Sequence, residues 1–221
     1  MSEFCDGHHE HGHDLEHDHD HPHSHSEPSP ESIALLETVL RSLIYRGVIT
    51  EVELEAKMRQ ADAGDWTNGA RIVVKAWTDP AFKQQMLQDG RAAVGAADIS
   101  IPPMGPLGWL EDRDDLHHLV VCTLCSCYPR WLLGYPPEWY KDPVYRARAV
   151  RNPRALLAEW DLPFAEEVEV RTVDSTADFR WLVLPQRPAG TDGWSEEQLL
   201  ELLTPNCLIG AELPKQPNGL R

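Results

Sequence analysis

Apolar residues recur at helical spacing through the first hundred positions, and the spacing changes after Leu116. From Ser32, a capping residue type, Ile33, Leu36, Val39, Leu40, Leu43 and Ile44 fall on one stripe of a helix that Gly47 closes. Thr50 and Glu53 have capping-box spacing and open a second helix through Met58. Asn68 starts a third, carrying Ile72, Val73, Ala76 and Trp77. Asp79-Pro80 reads as cap and first helical residue, followed by Phe82, Met86, Leu87 and Val94. Ile101 to Pro106 is a proline-rich connector. Leu116 to Val121 is then a strand, and Asp142-Pro143 and Asn152-Pro153 each start a short helix. Val168, Val170 and Thr172 alternate on one face of a strand, and Phe179 to Leu184 is another, closed by Pro185. Ser195 to Gln198 opens a late helix, and Leu208-Ile209-Gly210 reads as a short final strand. The expected fold class is α+β: a tail over 1–31, a helical arm over 32–98, a mixed domain over 99–215 and a flexible C-terminus over 216–221.

Size and charge narrow the functional classes. The 221 residues can bury a full core. No apolar run nears the length of a membrane span, and the start has no apolar signal stretch, so a cytoplasmic protein is expected. The formal charge is -16, but residues 1–31 hold nine acids and no Lys or Arg. The rest is close to ordinary, with no basic patch to recruit nucleic acid. Five cysteines in a chain this long do not suit a disulfide scaffold.

The tail holds nine of the eleven histidines: His8, His9, His11, His13, His17, His19, His21, His23 and His25. With almost nothing apolar to bury, it is expected to be disordered. Imidazoles alternating with carboxylates bind divalent nickel, cobalt, zinc or copper without fixed geometry. A purification tag is the bland alternative. The interruptions by Asp, Glu, Gly, Pro and Ser favour a native metal-gathering arm.

Cys122, Cys125 and Cys127 lie within six residues, in Val121-Cys-Thr-Leu-Cys-Ser-Cys127. Three thiolates this close can grip one metal from one side, and the amides of Ser126 and Cys127 lie between sulfur donors. A metal able to strip those amide protons would sit in a plane of two nitrogens and two sulfurs, with the third sulfur axial and a sixth position open. Structural zinc would need a fourth ligand, commonly from a second cysteine pair, and there is none. His117 and His118, on opposite faces of a strand, are not placed to complete a chelate. A redox Cys-x-x-Cys would leave Cys127 unexplained. Cys207, in an apolar run, is expected to be a buried inert thiol, and Cys5 lies in the tail. A non-catalytic cysteine/histidine metal-storage protein is the alternative outside enzymes.

The motif resembles the metal-binding signature of nitrile hydratase alpha subunits and of the related gamma subunit of thiocyanate hydrolase. The likeness extends through Val73 to Pro80, Tyr128-Pro129, Leu133-Gly134, Trp139-Tyr140-Lys141, Tyr145-Arg146, Pro153-Arg154, Asp174-Ser175 and Val183 to Trp194, covering roughly residues 32–212. The resemblance implies an α/β metal-binding domain with layers in the order α-β-β-α. It implies Cys122, Cys125 and Cys127 as thiolate ligands, and Ser126 and Cys127 as amide ligands. It further implies Cys125 as the sulfinic and Cys127 as the sulfenic form, these two being the catalytic residues. Thr123 stands where cobalt-type members carry Thr, so one Co(III) per chain is expected.

By the same resemblance the chain needs a nitrile hydratase beta-type subunit, as one chain or split into two, whose arginines meet the sulfur oxygens. A metallochaperone or activator is a further expected partner; nucleic acid and membrane are not. Arg130 and Arg146 are local candidates to brace the ligand set. The expected reaction is hydration of a nitrile to the amide. Tyr128-Pro129-Arg130 and the His/Asp-rich start resemble the thiocyanate enzymes instead, which release carbonyl sulfide and ammonia. The short segment before Leu116 and Gln186 to Gly190 favour the nitrile reading. Trp131, Trp139, Tyr140 and Tyr145 are read as core and subunit interface, and Lys75 and Trp77 equally as helical surface and core or as groups supporting the metal ligands. Glu111, Asp112, Asp114 and Asp115 are read as a solvated turn. Asp174-Ser175 lacks the arrangement of a serine hydrolase.

Overall fold

The computed structural model describes residues 29–97, 99, 106–124 and 127–217. The tail histidines, Cys125, Ser126 and most of the proline-rich connector lie outside these residues.

The chain divides between Leu43 and Ile44 into two units. Helix α1, Pro30–Tyr45, has no buried side chain, and its apolar Ile33, Leu36 and Val39 are exposed. It starts earlier than expected. Ser29 Oγ accepts the Ser32 amide at 3.2 Å, so Ser29 is the cap and Pro30 takes the first helical position.

In the second unit, α2 spans Glu51–Asp62 behind the expected capping box: Thr50 Oγ1 accepts from Glu53 N, and Glu53 accepts from Thr50 N. Helix α3 is Trp66–Thr78, capped by Asp65 rather than begun at Asn68. Asn68 is inside the helix, and its amide donates to Trp131 O at 3.0 Å. The single helix expected after Asp79 is two, α4 Pro80–Gln88 and α5 Gly90–Ala96. Asp89 breaks the run by capping the second, accepting from Ala92 N at 2.9 Å.

The remaining elements are β1 Leu107–Glu111, β2 Leu116–Val121, α6 Arg130–Leu133, α7 Glu138–Lys141, α8 Pro143–Arg151, α9 Pro153–Glu159, β3 Glu169–Asp174, β4 Arg180–Leu184 and α10 Glu196–Leu200. Asp142 and Asn152 cap α8 and α9 ahead of their prolines, and Ser195 forms a capping box with Gln198. Two expectations fail here. Strand β1 was not foreseen. Leu208-Ile209 is not a strand but part of a 3-10 turn, Pro205–Ile209, which Thr204 caps through the Cys207 amide.

The strands form two parallel pairs, β1 with β4 and β2 with β3. Helices α4 and α5 pack on β1, β4 packs on β2, and α8 and α9 lie on β2 and β3. The layers therefore run helices, sheet, sheet, helices, as parallel strands covered on both sides require. All six β2 residues are buried, His117 and His118 among them.

Those histidines correct the reading of the acidic turn. Asp112 is buried, not solvated. Its Oδ1 accepts from the His118 amide at 2.8 Å and from His118 Nδ1 at 2.9 Å. Its Oδ2 lies 2.8 Å from His117 Nδ1, an ion-pair distance with the ring N–H directed off the oxygen. The two histidines therefore share one carboxylate instead of diverging. His117 Nε2 donates to Gly210 O at 2.8 Å, and its ring stacks on Phe164. Gly210 has φ 77° and lies against the His118 carbonyl, where a Cβ would collide.

Two outcomes follow from this cluster. Gly210→Ala meets both a left-handed backbone and the His118 carbonyl, so denaturant unfolding should show a loss of ~3 kcal/mol or more. Burial pushes the Asp112 pKa up, but the contacts of His117 and His118 and the charge of His117 outweigh burial and hold it below the ordinary 3.8. Its contribution to stability is present above that ordinary value and is lost as pH falls through the lower, folded one. Unfolding midpoints should therefore decline below about pH 3.8. Asp112→Ala should cost ~3–5 kcal/mol at neutral pH and abolish this part of the acid dependence.

Candidate metal centre

Strand β2 runs buried to its end, and Cys122 continues buried beyond it. The chain bends outward at Thr123 and Leu124, whose side chain is 85% exposed. It returns with Cys127 and Tyr128 buried, directly before α6. Strand β3 holds the outgoing limb. Ser175 N donates to Val121 O at 2.7 Å, extending the parallel ladder by one step. Asp174, opposite Val121 in the register, then takes two bonds from Thr123: the amide at 3.0 Å to Oδ1 and the hydroxyl to Oδ2. Ser175 Oγ accepts from Trp181 N, so that hydroxyl is part of the scaffold.

An aromatic wall from α7 and α8 backs the loop. Tyr145 donates to Val120 O at 3.1 Å and packs edge-on against Trp139 at 4.9 Å and parallel to Trp160 at 5.7 Å. Tyr140 is fully buried and meets Tyr128 edge-on at 5.0 Å. The hydroxyls of Tyr128 and Tyr140 have no hydrogen-bond partner among the described residues. Burial pushes both phenols well above their ordinary acidity range. For Tyr140, nearby Tyr145, Cys122, Tyr128 and Cys127 add to this. Both therefore stay neutral donors at physiological pH. Two buried thiols, and buried O–H donors that have no acceptor among the described residues, are a fitting lining for an anionic, sulfur-ligated metal.

Cys122 and Cys127 are thus brought back to one buried region, while Cys125 and Ser126 lie outside the described residues. Among the described residues no three His, Cys, Asp or Glu side chains gather as a metal cage. The Arg130 guanidinium stacks on the Tyr135 ring, 4.0 Å from its centre. Arg146 donates to Lys141 O, and its buried Nε has no partner among the described residues. Cys207 is buried away from the loop in the 3-10 turn, its acidity suppressed chiefly by burial. Lys75 donates to Ala96 O and Trp77 to Pro185 O, both structural contacts. Asp174 and the two phenols are the contributors that sequence reasoning missed. The signal for Asp174 was its place as the last residue of an alternating strand.

The profile of the family "Nitrile hydratase, alpha chain" matches residues 31–212. The cobalt-containing nitrile hydratase subunit alpha of Pseudonocardia thermophila is 45% identical over 190 residues, 84% of this chain and 92% of that one. The thiocyanate hydrolase subunit gamma of Thiobacillus thioparus is 48% identical over 157 residues, 66% of this chain and 65% of that one. Among solved structures, a recombinant thiocyanate hydrolase comprising partially modified cobalt centres superposes with a TM-score of 0.79 at 41% identity, covering 86% of this chain and 93% of that one.

The Asp174 clamp yields a test that requires no metal. Each hydrogen bond to a charged group contributes about 1.5–3 kcal/mol. In the metal-free chain, Asp174→Ala should therefore speed amide exchange at Thr123 and alkylation of Cys122 by about tenfold or more. Mass spectrometry of the loop peptide reads both; unchanged rates would show that the carboxylate does not hold the loop.

Proposed function

The chain belongs to the nitrile hydratase alpha family and is a metal-binding catalytic subunit of the kind that normally works in a heteromer; we propose that it hydrates a nitrile to the amide at one low-spin Co(III) centre. The observation carrying this reading is that Cys122 and Cys127 are both buried, in a core that also holds phenol donors without acceptors among the described residues. Cys122, Cys125 and Cys127 would hold the metal by sulfur, and Ser126 and Cys127 by their backbone nitrogens. Thiolates and amidates push negative charge onto a metal and favour its trivalent state. Cobalt(III) held there supplies a mild Lewis acid that polarises a bound nitrile or water.

The protein's own groups do the rest. With Cys125 as the sulfinic and Cys127 as the sulfenic form, the Cys127 oxygen would either take a proton from water or attack the nitrile carbon. Thr123, held by Asp174, fixes the outer limb of the loop. The aromatic wall keeps bulk water from the inner side, which strengthens polar interactions at the sulfurs. Arg130 and Arg146 are assigned to bracing the charged ligand set or its partner. Oxidised sulfurs need further donors, and a beta-type subunit, whole or split into two chains, is the proposed source. The apolar face exposed on α1 fits such an assembly. Residues 8–25 are assigned to capturing divalent cobalt and passing it to the loop, with a metallochaperone as a further partner. No helix among the described residues is long and apolar enough to cross a membrane.

A second reading, thiocyanate hydrolysis, is favoured by the 48% identity to a thiocyanate hydrolase gamma subunit. Arg130 facing the cavity would attract that anion; stacked on Tyr135, it leaves a neutral nitrile free to enter.

The complex from cobalt-fed cells, with the tail removed so that its histidines do not inflate the count, should contain about one cobalt per chain. It should convert nitriles to amides without free acid, across a panel of aliphatic, aromatic and heterocyclic substrates. Preferred thiocyanate turnover with carbonyl sulfide release would establish the second reading. Active enzyme holding zinc or iron and no cobalt would refute the metal assignment. The loop peptide of active enzyme should carry added oxygen on Cys125 and Cys127 and none on Cys122. Deleting residues 8–25 should lower cobalt loading when the metal is scarce and leave turnover per bound cobalt unchanged. A large fall in turnover per cobalt would place the tail in catalysis.

A further inference from the structure

We propose that Tyr135 is a specificity-determining residue, an assignment that rests on the nitrile reading above: anchored on Asp62, its ring holds the Arg130 guanidinium off the substrate, so that a neutral nitrile is taken ahead of an anion. Arg130 opens α6, three residues after Cys127. Its amide donates to Tyr128 O at 2.8 Å, directly after the buried Cys127 and Tyr128. Its carbonyl lies against Gly64, where a Cβ would stand only 2.5 Å away. The backbone at Arg130 is therefore fixed, and the direction of its charge is decided by the side chain alone. Three residues span at most about 11 Å. That is comparable to the screening length of about 8–10 Å, so a free guanidinium here acts on an anion at the loop.

Two features set that direction. Helix α6 is a single turn, and Gly134 ends it with φ 70°, a backbone conformation that glycine adopts without strain. The chain then brings Tyr135 back over the start of the helix, with the Arg130 guanidinium 4.0 Å from the centre of its ring. Tyr135 is 64% exposed, yet its hydroxyl is tied: it donates to Asp62 Oδ1, at the end of α2, at 3.2 Å. The ion pairs of the described residues all lie elsewhere, so the ring face is the contact that holds this cation. A cation on an exposed aromatic face favours the stacked position by only about two- to fivefold. An anion competes directly with a hold that weak, and the ring sets the penalty it must overcome. A neutral nitrile has no net charge with which to draw the guanidinium, so it does not meet that penalty.

Thiocyanate serves as an anionic probe against nitrile hydration by the cobalt-loaded heteromer. Tyr135→Ala should lower the thiocyanate inhibition constant about two- to fivefold, by more than any change in the KM of a neutral nitrile. Tyr135→Leu keeps bulk without an aromatic face and should do the same, whereas Tyr135→Phe keeps the ring and should stay closer to wild type. The gain should fade with added salt, as attraction between charges does. It should vanish when Arg130→Gln is added to Tyr135→Ala. The Arg130 Nε–H resonance of the labelled heteromer gives a readout that depends on neither turnover nor cobalt: shifted upfield by the ring in wild type and Y135F, and released in Y135A. An unchanged inhibition constant in Y135A, a gain that persists without Arg130, or an Arg130 resonance indifferent to loss of the ring would overturn the assignment. Wild type that hydrates nitriles beside an indifferent Y135A defeats this assignment alone, whereas wild type that prefers thiocyanate as its substrate defeats the nitrile reading as well.

Discussion

A strand buried on both faces must find internal partners for any polar side chain it carries, and β2 carries two histidines. The Asp112 carboxylate answers both, with Gly210 O taking the far nitrogen of His117. This polar knot ties the turn after β1 and the adjoining start of β2 to the end of the 3-10 turn, 93 residues farther along the chain. It holds β2 where β3 and β4 pack against it, and the cysteine loop begins where β2 stops. A buried ion pair is weak evidence of net stabilisation, but leaving one partner alone inside is costly. The cluster is therefore best understood as a device that specifies register.

From that register the site follows in steps. Parallel pairing sets Val121 opposite Asp174, so the carboxylate at the end of β3 meets the first exposed residue of the loop. Helix α8 places Tyr145 under Val120, and α7 brings Tyr140 into the same wall. The loop is held on the outside by a charge and backed on the inside by neutral phenols. An outer clamp limits motion, and buried O–H donors lie on the inner side. The two sides ask for different substitutions, one electrostatic and one isosteric, to be told apart.

Much of this was legible in residues with strong local rules. The capping pairs Thr50/Glu53 and Ser195/Gln198, and the prolines behind Asp79, Asp142 and Asn152, marked helix starts because capping is decided within one turn. The cysteine spacing was legible for the same reason. Strand β1 was not: Leu107 to Glu111 is short, contains Gly108 and shows no alternation, and it exists because β4 offers a parallel partner far along the chain. Leu208-Ile209 looked like a strand because both residues are apolar; Thr204 and Pro205 decided otherwise. Asp112 looked solvated because it sits in an acidic run, and only the tertiary fold shows its histidines. Asp174 and Tyr140 matter through contacts made across the chain, which no local pattern reports.

The Thr123–Asp174 contact spans 51 residues. Closing a segment of that length has an entropic cost that no local interaction offsets, so parallel β pairing of this kind is assembled late and cooperatively. The cysteine motif is contiguous, yet the surroundings that shape it are among the most non-local in the molecule. A peptide cut from residues 121–128 would keep the motif's three cysteines and lose the Asp174 clamp, the Tyr140 phenol and the ladder. In ribosomal order, the three cysteines emerge well before the strand and carboxylate that hold Thr123 between them. The nascent chain therefore passes through an interval in which its cysteine loop is unshaped, until residue 174 has joined the fold.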